Sequence, residues 1–413
     1  MIDYAGPSSG HEPIRLAPRA ATVAWVVLLA GGACLGGAAA LGALWGWDRF
    51  YHAYLTAWAY FLSLGLGGLF FVLLQHLTHA GWSVNIRRVG EWLMATLPLM
   101  AMLAIPILLA VWMQKGELYP WAQRHDAPGA PHLSPGKQAY LSPAFFTARL
   151  VVYLAIWSAL GWWYWRNSTR QDASGDPALT SRMQAFSAPA MVVLAVTLTL
   201  AALDLLMSLD PTWYSTIFGV YYFAGSAAGV FAAIVVLLFV LQRLGYLGQS
   251  VTTEHYHDLG KFLFGFVFFW GYIAFSQYML IWYANIPEET AWLVRRGAST
   301  AAQDPKDWSA VCVLLLLGHL LIPFLGLISR HVKRTPPLLA FWAAWVLVFH
   351  GLDMHWLVAP ELDGRFHLGP VEGLAFLGMG GVFLGTVIGL ASRHAIRPLR
   401  DPRIEESLAF ENV

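Results

Sequence analysis

Ten stretches of this chain are apolar for long enough to cross a bilayer, and no other feature narrows its fold so far. They run over 20–46, 51–79, 91–113, 143–165, 188–209, 216–243, 258–284, 307–329, 335–357 and 369–392. A spanning helix needs roughly 20 such residues. In hydrocarbon every backbone amide must find a partner inside its own segment, so uninterrupted runs of this length are helices. The weak two-residue alternation of a barrel strand is absent. The expected fold is therefore an all-α polytopic membrane protein of about ten transmembrane helices, with tails at 1–19 and 393–413 around a membrane domain at 20–392. Composition agrees, since 12% of residues are charged and 58% hydrophobic, whereas soluble domains carry about 25% charged residues.

Loop charge sets the orientation. Sixteen Lys and Arg flank the side shared by both tails, among them Arg87, Arg88, Arg166, Arg170, Arg330, Lys333, Arg334, Arg393, Arg397 and Arg400. Eight lie on the other side, and Arg149 sits within a span. Positive-inside asymmetry then predicts both termini in the cytoplasm. With a net charge of +1, no basic stripe remains for nucleic acid. Cys34 and Cys312 both fall in spans and form no haem-attachment or iron–sulfur spacing, so covalent haem or a cluster would have to sit on another protein. Arg15 and Arg19 before an apolar run reaching Cys34 imitate a signal peptide. Gly31, however, stands where a lipoprotein signal wants Leu, and the run continues; an uncleaved first helix is expected.

Short loops predict antiparallel neighbours in one domain. Two longer ones, Gln114 to Ser142 with Pro120, Pro128, Pro131 and Pro135, and Asn285 to Lys306, are long enough for a periplasmic docking surface. Trp45, Trp47, Trp82, Trp121, Trp213 and Trp308 near span ends fit interfacial belts. The second span into the third, and the sixth into the seventh, each descend to a His-rich loop and restart at Glu91 or Asp258, a weak hint of two four-helix halves. Pro98 and Pro106 should kink the third span.

Several ionisable residues interrupt the spans, and each is a functional hypothesis because burial of charge in hydrocarbon is costly. Asp204 shares a stripe with Thr197 and Ser208 that should face the bundle interior. His350 and Asp353 are i, i+3 neighbours able to hydrogen-bond, whereas His355 points elsewhere. His319 lies near mid-depth, and Pro323 removes the amide that would meet its carbonyl. A cytoplasmic cluster holds Gln75, His76, His79, Arg87, Arg88 and Glu91, with Glu254, His255, His257 and Asp258 before the seventh helix; the two polar clusters are expected to meet near the middle. Glu372 and Gln277 extend the outer one.

Plainer readings compete. Asp204 can be a hydrogen-bonded structural aspartate. Asp210 before Pro211 reads as a cap for the sixth helix, and Asp258 as one for the seventh. Glu254, His255 and His257 read as a solvated loop before a surface metal site, and His76 and His79 fit snorkelling histidines as well as a proton entry. The histidines differ in depth, which disfavours a bis-histidine haem.

The runs HDLGKFLFGFVFFWGYIAFSQYMLIWYANIPEET (His257 to Thr290), HLTHAGWSVNIRRVGEWLM (His76 to Met94) and SRHVKR (Ser329 to Arg334) closely resemble the NrfD-like, or polysulfide reductase NrfD, membrane proteins. Within them the chain is most similar to the ActF-type subunits of alternative complex III, a bacterial quinol:cytochrome c oxidoreductase. The resemblance covers essentially all ten helices. It implies two four-helix bundles plus two extra helices, and no redox centre or metal on this chain. It also implies a quinol or menaquinol as the lipid-soluble cofactor. The implied partners are a paralogous quinol-binding NrfD-like subunit, an iron–sulfur subunit, multihaem cytochrome c subunits and a terminal oxidase, all within membrane lipids.

The sequence reading is thus a non-redox subunit with a proton pathway through Asp204, His319, His350, Asp353, His76, Glu91 and Glu372. It expects Asp204→Asn to lower coupling while leaving assembly intact. A quinol-binding anchor of a molybdenum enzyme, a secondary transporter and a pure scaffold are the alternatives.

Overall fold

The computed structural model describes residues 13–124, 130–298 and 308–411. Its long helices are α1 (Arg19–Trp45), α2 (Trp47–Leu77), α3 (Val84–Trp112), α4 (Pro143–Ser174), α5 (Pro177–Leu209), α6 (Phe218–Arg243), α7 (Thr253–Ala284), α8 (Trp308–Ile328), α9 (Pro336–Asp363) and α10 (Pro370–Arg393), all long and apolar enough to cross a membrane. No strand occurs among the described residues. The chain is an all-α polytopic membrane protein.

Local chemistry explains many boundaries. Pro143, Pro177, Pro336 and Pro370 each open a helix, where a missing amide costs nothing and the ring fixes a helical φ. Asp176 caps α5 by accepting from the Ala178 amide at 2.9 Å, and Gly175 closes α4 in the left-handed region at φ 66°. Pro98 and Pro106 do more than kink α3. They divide it into Val84–Met94, Leu97–Met102 and Ile105–Trp112, with a proline at the start of each later piece.

Helices α2 to α5 pack as one bundle and α6 to α9 as another, joined along α2 and α6; α1 and α10 form an outer pair on α2. Helix α2 is buried along nearly its whole length, so the core lies on it. The outer pair is held by backbone proximity: a methyl built on Gly31 would sit 2.5 Å from the Val382 amide nitrogen, and one on Gly385 2.8 Å from that of Leu28. Lipid offers no hydrophobic force between helices, so such close packing between small residues holds this pair. Helix α1 runs unbroken through Gly31 and Cys34.

Both ends of the described chain lie on one face, here the terminal face, where the Ile396 amide donates to the Ile14 carbonyl at 2.9 Å. On the opposite face the long loops fold inward. Tyr119 donates to the Leu205 carbonyl (2.9 Å) and Trp121 to Ser208 (3.2 Å), while Trp292 stacks on Trp213 at 4.3 Å. Residues 125–129 and 299–307, with Pro128 and Lys306, lie outside the described residues. Of the tryptophans assigned to belts, Trp45 and Trp47 are exposed, but Trp121, Trp213 and Trp308 are buried, because their ring nitrogens or faces are used in packing between helix ends.

Candidate functional site

A fully enclosed polar group gathers where α2, α6, α7, α8 and α9 converge. Asp353, His350, His319 and Ser63 are all fully buried there. Tyr221 donates to Asp353 Oδ1, and the Trp270 indole N–H donates to Oδ2 at 3.2 Å. No cation reaches this carboxyl among the described residues. A buried aspartate served only by two neutral donors is not locked as a carboxylate and can take up and release a proton.

Helix α6 makes the space for His350. Gly225 and Gly229 form one i, i+4 edge, and a methyl on either would come within 3.0–3.1 Å of the imidazole. The ring therefore lies directly on the α6 backbone, with Nε2 2.8 Å from Ser63 Oγ of α2. His350 and Asp353 share a face of α9 but do not hydrogen-bond to each other, contrary to the sequence expectation; Ser63 takes one and Tyr221 with Trp270 the other. His350 Nδ1 and both ring nitrogens of His319 have no hydrogen-bond partner among the described residues.

His319 owes its position to a helix defect. Around it, Leu316–Leu321 winds as a π-turn ahead of Pro323, a local widening that recurs at functional positions. The Trp345 indole donates to the Gly318 carbonyl at 2.7 Å. The His319 ring then packs 4.0 Å from Trp270 and 6.1 Å from His350, centroid to centroid. His319 and His350 are thus near neighbours, which their spacing within separate spans does not show.

No known family model matches this chain, and no curated protein matches it.

The other expected site residues fall into separate groups. Asp204 is held by Arg149 at 2.8 and 2.9 Å and by Tyr153 at 3.0 Å, an ion pair between α4 and α5. Glu91 lies between Arg87 and Arg88, at 3.3 Å from each, and accepts from Ser168. Glu372 pairs with Arg49 at 2.7 Å and accepts from the Gly369 amide at 2.8 Å, capping α10. Gln277 accepts from Ser215 at 2.9 Å. His76 is buried with its ring 5.7 Å from Tyr164, whereas His79 is exposed at the chain reversal, with φ 51°.

Four capping and loop assignments change. Asp210 caps the 210–213 turn, accepting from Thr212 and Trp213, rather than α6, which starts at Phe218. Burial works against its charge, but these hydrogen bonds and Arg295 win and hold the carboxyl below its usual range. Asp258 lies inside α7 and pairs with Lys261 at 2.5 Å; the cap is Thr252, in a reciprocal box with His255. His255 is fully buried and Glu254 pairs with Arg334, so this segment is a first helical turn and not a solvated loop. No metal-holding group of three or more His, Cys, Asp or Glu side chains occurs among the described residues.

The two polar clusters do not meet. From Ser63 to His76 along α2 lie thirteen residues, about 20 Å of helix, and the buried side chains between them, such as Leu66, Leu69, Phe70, Val72 and Leu73, are apolar until Gln75. Toward the opposite face the spacing is shorter. Thr56 and His52 continue the Ser63 side of α2 to a small cavity of about 10 Å³, lined also by Arg49, His355, His367 and Glu372. That is the size of one water.

Tyr221, Trp270, Ser63, Gly225 and Gly229 were absent from the sequence reading. The glycine pair was visible as small-xxx-small within the sixth span; the others look like ordinary residues of apolar helices until the helices pack.

Proposed function

We propose that this chain is a non-redox, multi-pass subunit of a quinol-oxidising respiratory complex of the NrfD-like, alternative complex III type. It sits in a bacterial inner membrane with both termini cytoplasmic and provides a proton half-channel. The observation that carries this is the buried Asp353, without a counter-ion among the described residues, beside two histidines whose ring nitrogens are largely unpartnered among those residues. In this reading Asp353 holds the proton, Tyr221 and Trp270 orient the carboxyl, and His319 and His350 relay between it and Ser63. The outward side runs past Thr56 and His52 to the cavity beside Glu372. The arrangement of two four-helix bundles with an outer pair supports the family resemblance. Quinol, haem c and iron–sulfur clusters belong, in this reading, to partner subunits.

Asp204, Glu91 and Glu372 leave the relay, because each is already engaged in an ion pair with a guanidinium. The test is purification from native membranes in mild detergent, followed by reconstitution and measurement of protons moved per electron. Co-purifying haem c and iron–sulfur subunits, with coupling lost in Asp353→Asn, are the expected results. A colourless chain purifying alone would instead favour a transporter built around the π-turn of α8.

A further inference from the structure

The π-turn of α8 leaves one buried carbonyl that its own helix cannot serve. At the end of the turn the Ile322 amide donates to the Leu317 carbonyl, one residue further back than in an α-helix. The next amide in line for Gly318 would be that of residue 323, which is a proline and has none. The Gly318 carbonyl therefore has no backbone donor in either register, and a buried carbonyl needs one. Trp345 of α9 supplies it, its indole N–H reaching across at 2.7 Å.

Both neighbours of His319 are seated on other helices. A methyl built on Gly318 would run into the Phe349 ring, which stacks on Trp345 at 5.1 Å. On the other side, Leu320 fills the space that a side chain on Gly271 of α7 would take. His319, between them, is carried onto Trp270, the residue before Gly271, and toward His350, the residue after Phe349. Without the indole N–H, the Ile322 amide is free to return to Gly318 and the turn to wind as ordinary α-helix. One residue of register turns one flank of a helix by about 100° against the other, so the contacts of the His319 ring depend on which register the turn holds.

We propose that Trp345 is a positioning residue: its N–H holds the π-register of α8 and thereby seats the His319 imidazole between Trp270 and His350. It acts through the Gly318 carbonyl and not on the proton itself. Its effect on proton transfer rests on the relay proposed for this site, whereas the seating of the ring does not.

The experiment is NMR of the full chain in mild detergent with isotope-labelled histidine, reading the His319 ring, whose signal is the one lost in His319→Gln. The ring current of Trp270, 4.0 Å away, should displace that signal from the position of free histidine. Trp345→Phe keeps an aromatic ring beside Phe349 but has no N–H, and the displacement should be lost. Trp342→Phe trims the indole that lies on Gly326 in the same α8–α9 contact and should leave the signal in place. An unmoved His319 signal in Trp345→Phe, or the same movement in Trp342→Phe, overturns the proposal. Should Trp345→Phe fail to fold, the benzothiophene isostere of tryptophan at this position, equal in shape but without the N–H, must give the same loss. Protons moved per electron in the reconstituted complex test the relay separately: Trp345→Phe and His319→Gln should both lower coupling. Parent-like coupling in both, with the His319 signal moved in Trp345→Phe, would sink the relay and leave the positioning role of Trp345 standing.

Discussion

Arg149 and Asp204 grip each other through two parallel hydrogen bonds, 2.8 Å from Nε and 2.9 Å from Nη2, across the α4–α5 interface. The Arg149 guanidinium also lies 3.7 Å from the Tyr140 ring centroid. A pair this enclosed is costly to break from one side, because the surviving charge remains buried without its partner.

Asp204→Asn and Arg149→Met should each destabilise the protein by about 3–5 kcal/mol, seen as a lower Tm in detergent. The double variant Arg149→Met with Asp204→Leu should recover most of that loss. Single variants as stable as the parent would return Asp204 to the list of proton carriers.

Asp353→Asn keeps one carbonyl oxygen for the Trp270 N–H and turns its amide N–H to the Tyr221 hydroxyl, which can accept, so folding should survive. Proton-coupled turnover of the assembled complex should fall about a hundredfold, within the usual range for removing a proton-transfer group. Proton release per electron in proteoliposomes reads this directly. Coupling equal to that of the parent would remove Asp353 from the relay.

The tail after α10 folds back across the terminal face, and its anchor is titratable. Asp401 lies 2.6 Å from Arg87. Burial opposes its charge, but Arg87 and the Arg403 amide win and hold the carboxyl below its ordinary range. A depressed folded-state pKa stabilises the tail fully above the unfolded value near about 3.9, and the contribution disappears as pH falls through the lower folded value. Protease cleavage in 401–411 should stay slow from pH 8 to 5 and rise below about pH 4. Asp401→Asn should cleave faster at neutral pH and lose that acid step; a parent-like profile in the variant would dismiss the anchor.

Gly31→Ala forces a methyl against the Val382 amide and should cost about 1–3 kcal/mol through overpacking, while Gly36→Ala should be silent. Thermal unfolding of the two variants side by side measures the difference. Equal melting would mean that α1 shifts freely against α10.

The limits of reading the sequence show in individual residues. Pro98 and Pro106 were legible because proline acts on its own helix, within four residues. Arg149 stands apart from the loop charges in the sequence, and its role appears only with Asp204, 55 positions away. Spacing along each span puts His319 and His350 at different depths and cannot show that packing brings their ring centroids to 6.1 Å. The apparent meeting of the inner and outer polar groups dissolved for a similar reason, since the apolar residues of α2 between Ser63 and Gln75 are packed inside and not turned to lipid.

Run length and apolarity alone determined that this is an all-α membrane protein, with ten helices long and apolar enough to span among the described residues, because backbone hydrogen bonding in hydrocarbon is satisfied within each segment and needs no knowledge of its neighbours. Which buried ionisable residue is neutralised and which stands alone was decided by tertiary structure. A counter-ion is a three-dimensional relationship: Arg149 for Asp204, Arg49 for Glu372, and none for Asp353 among the described residues.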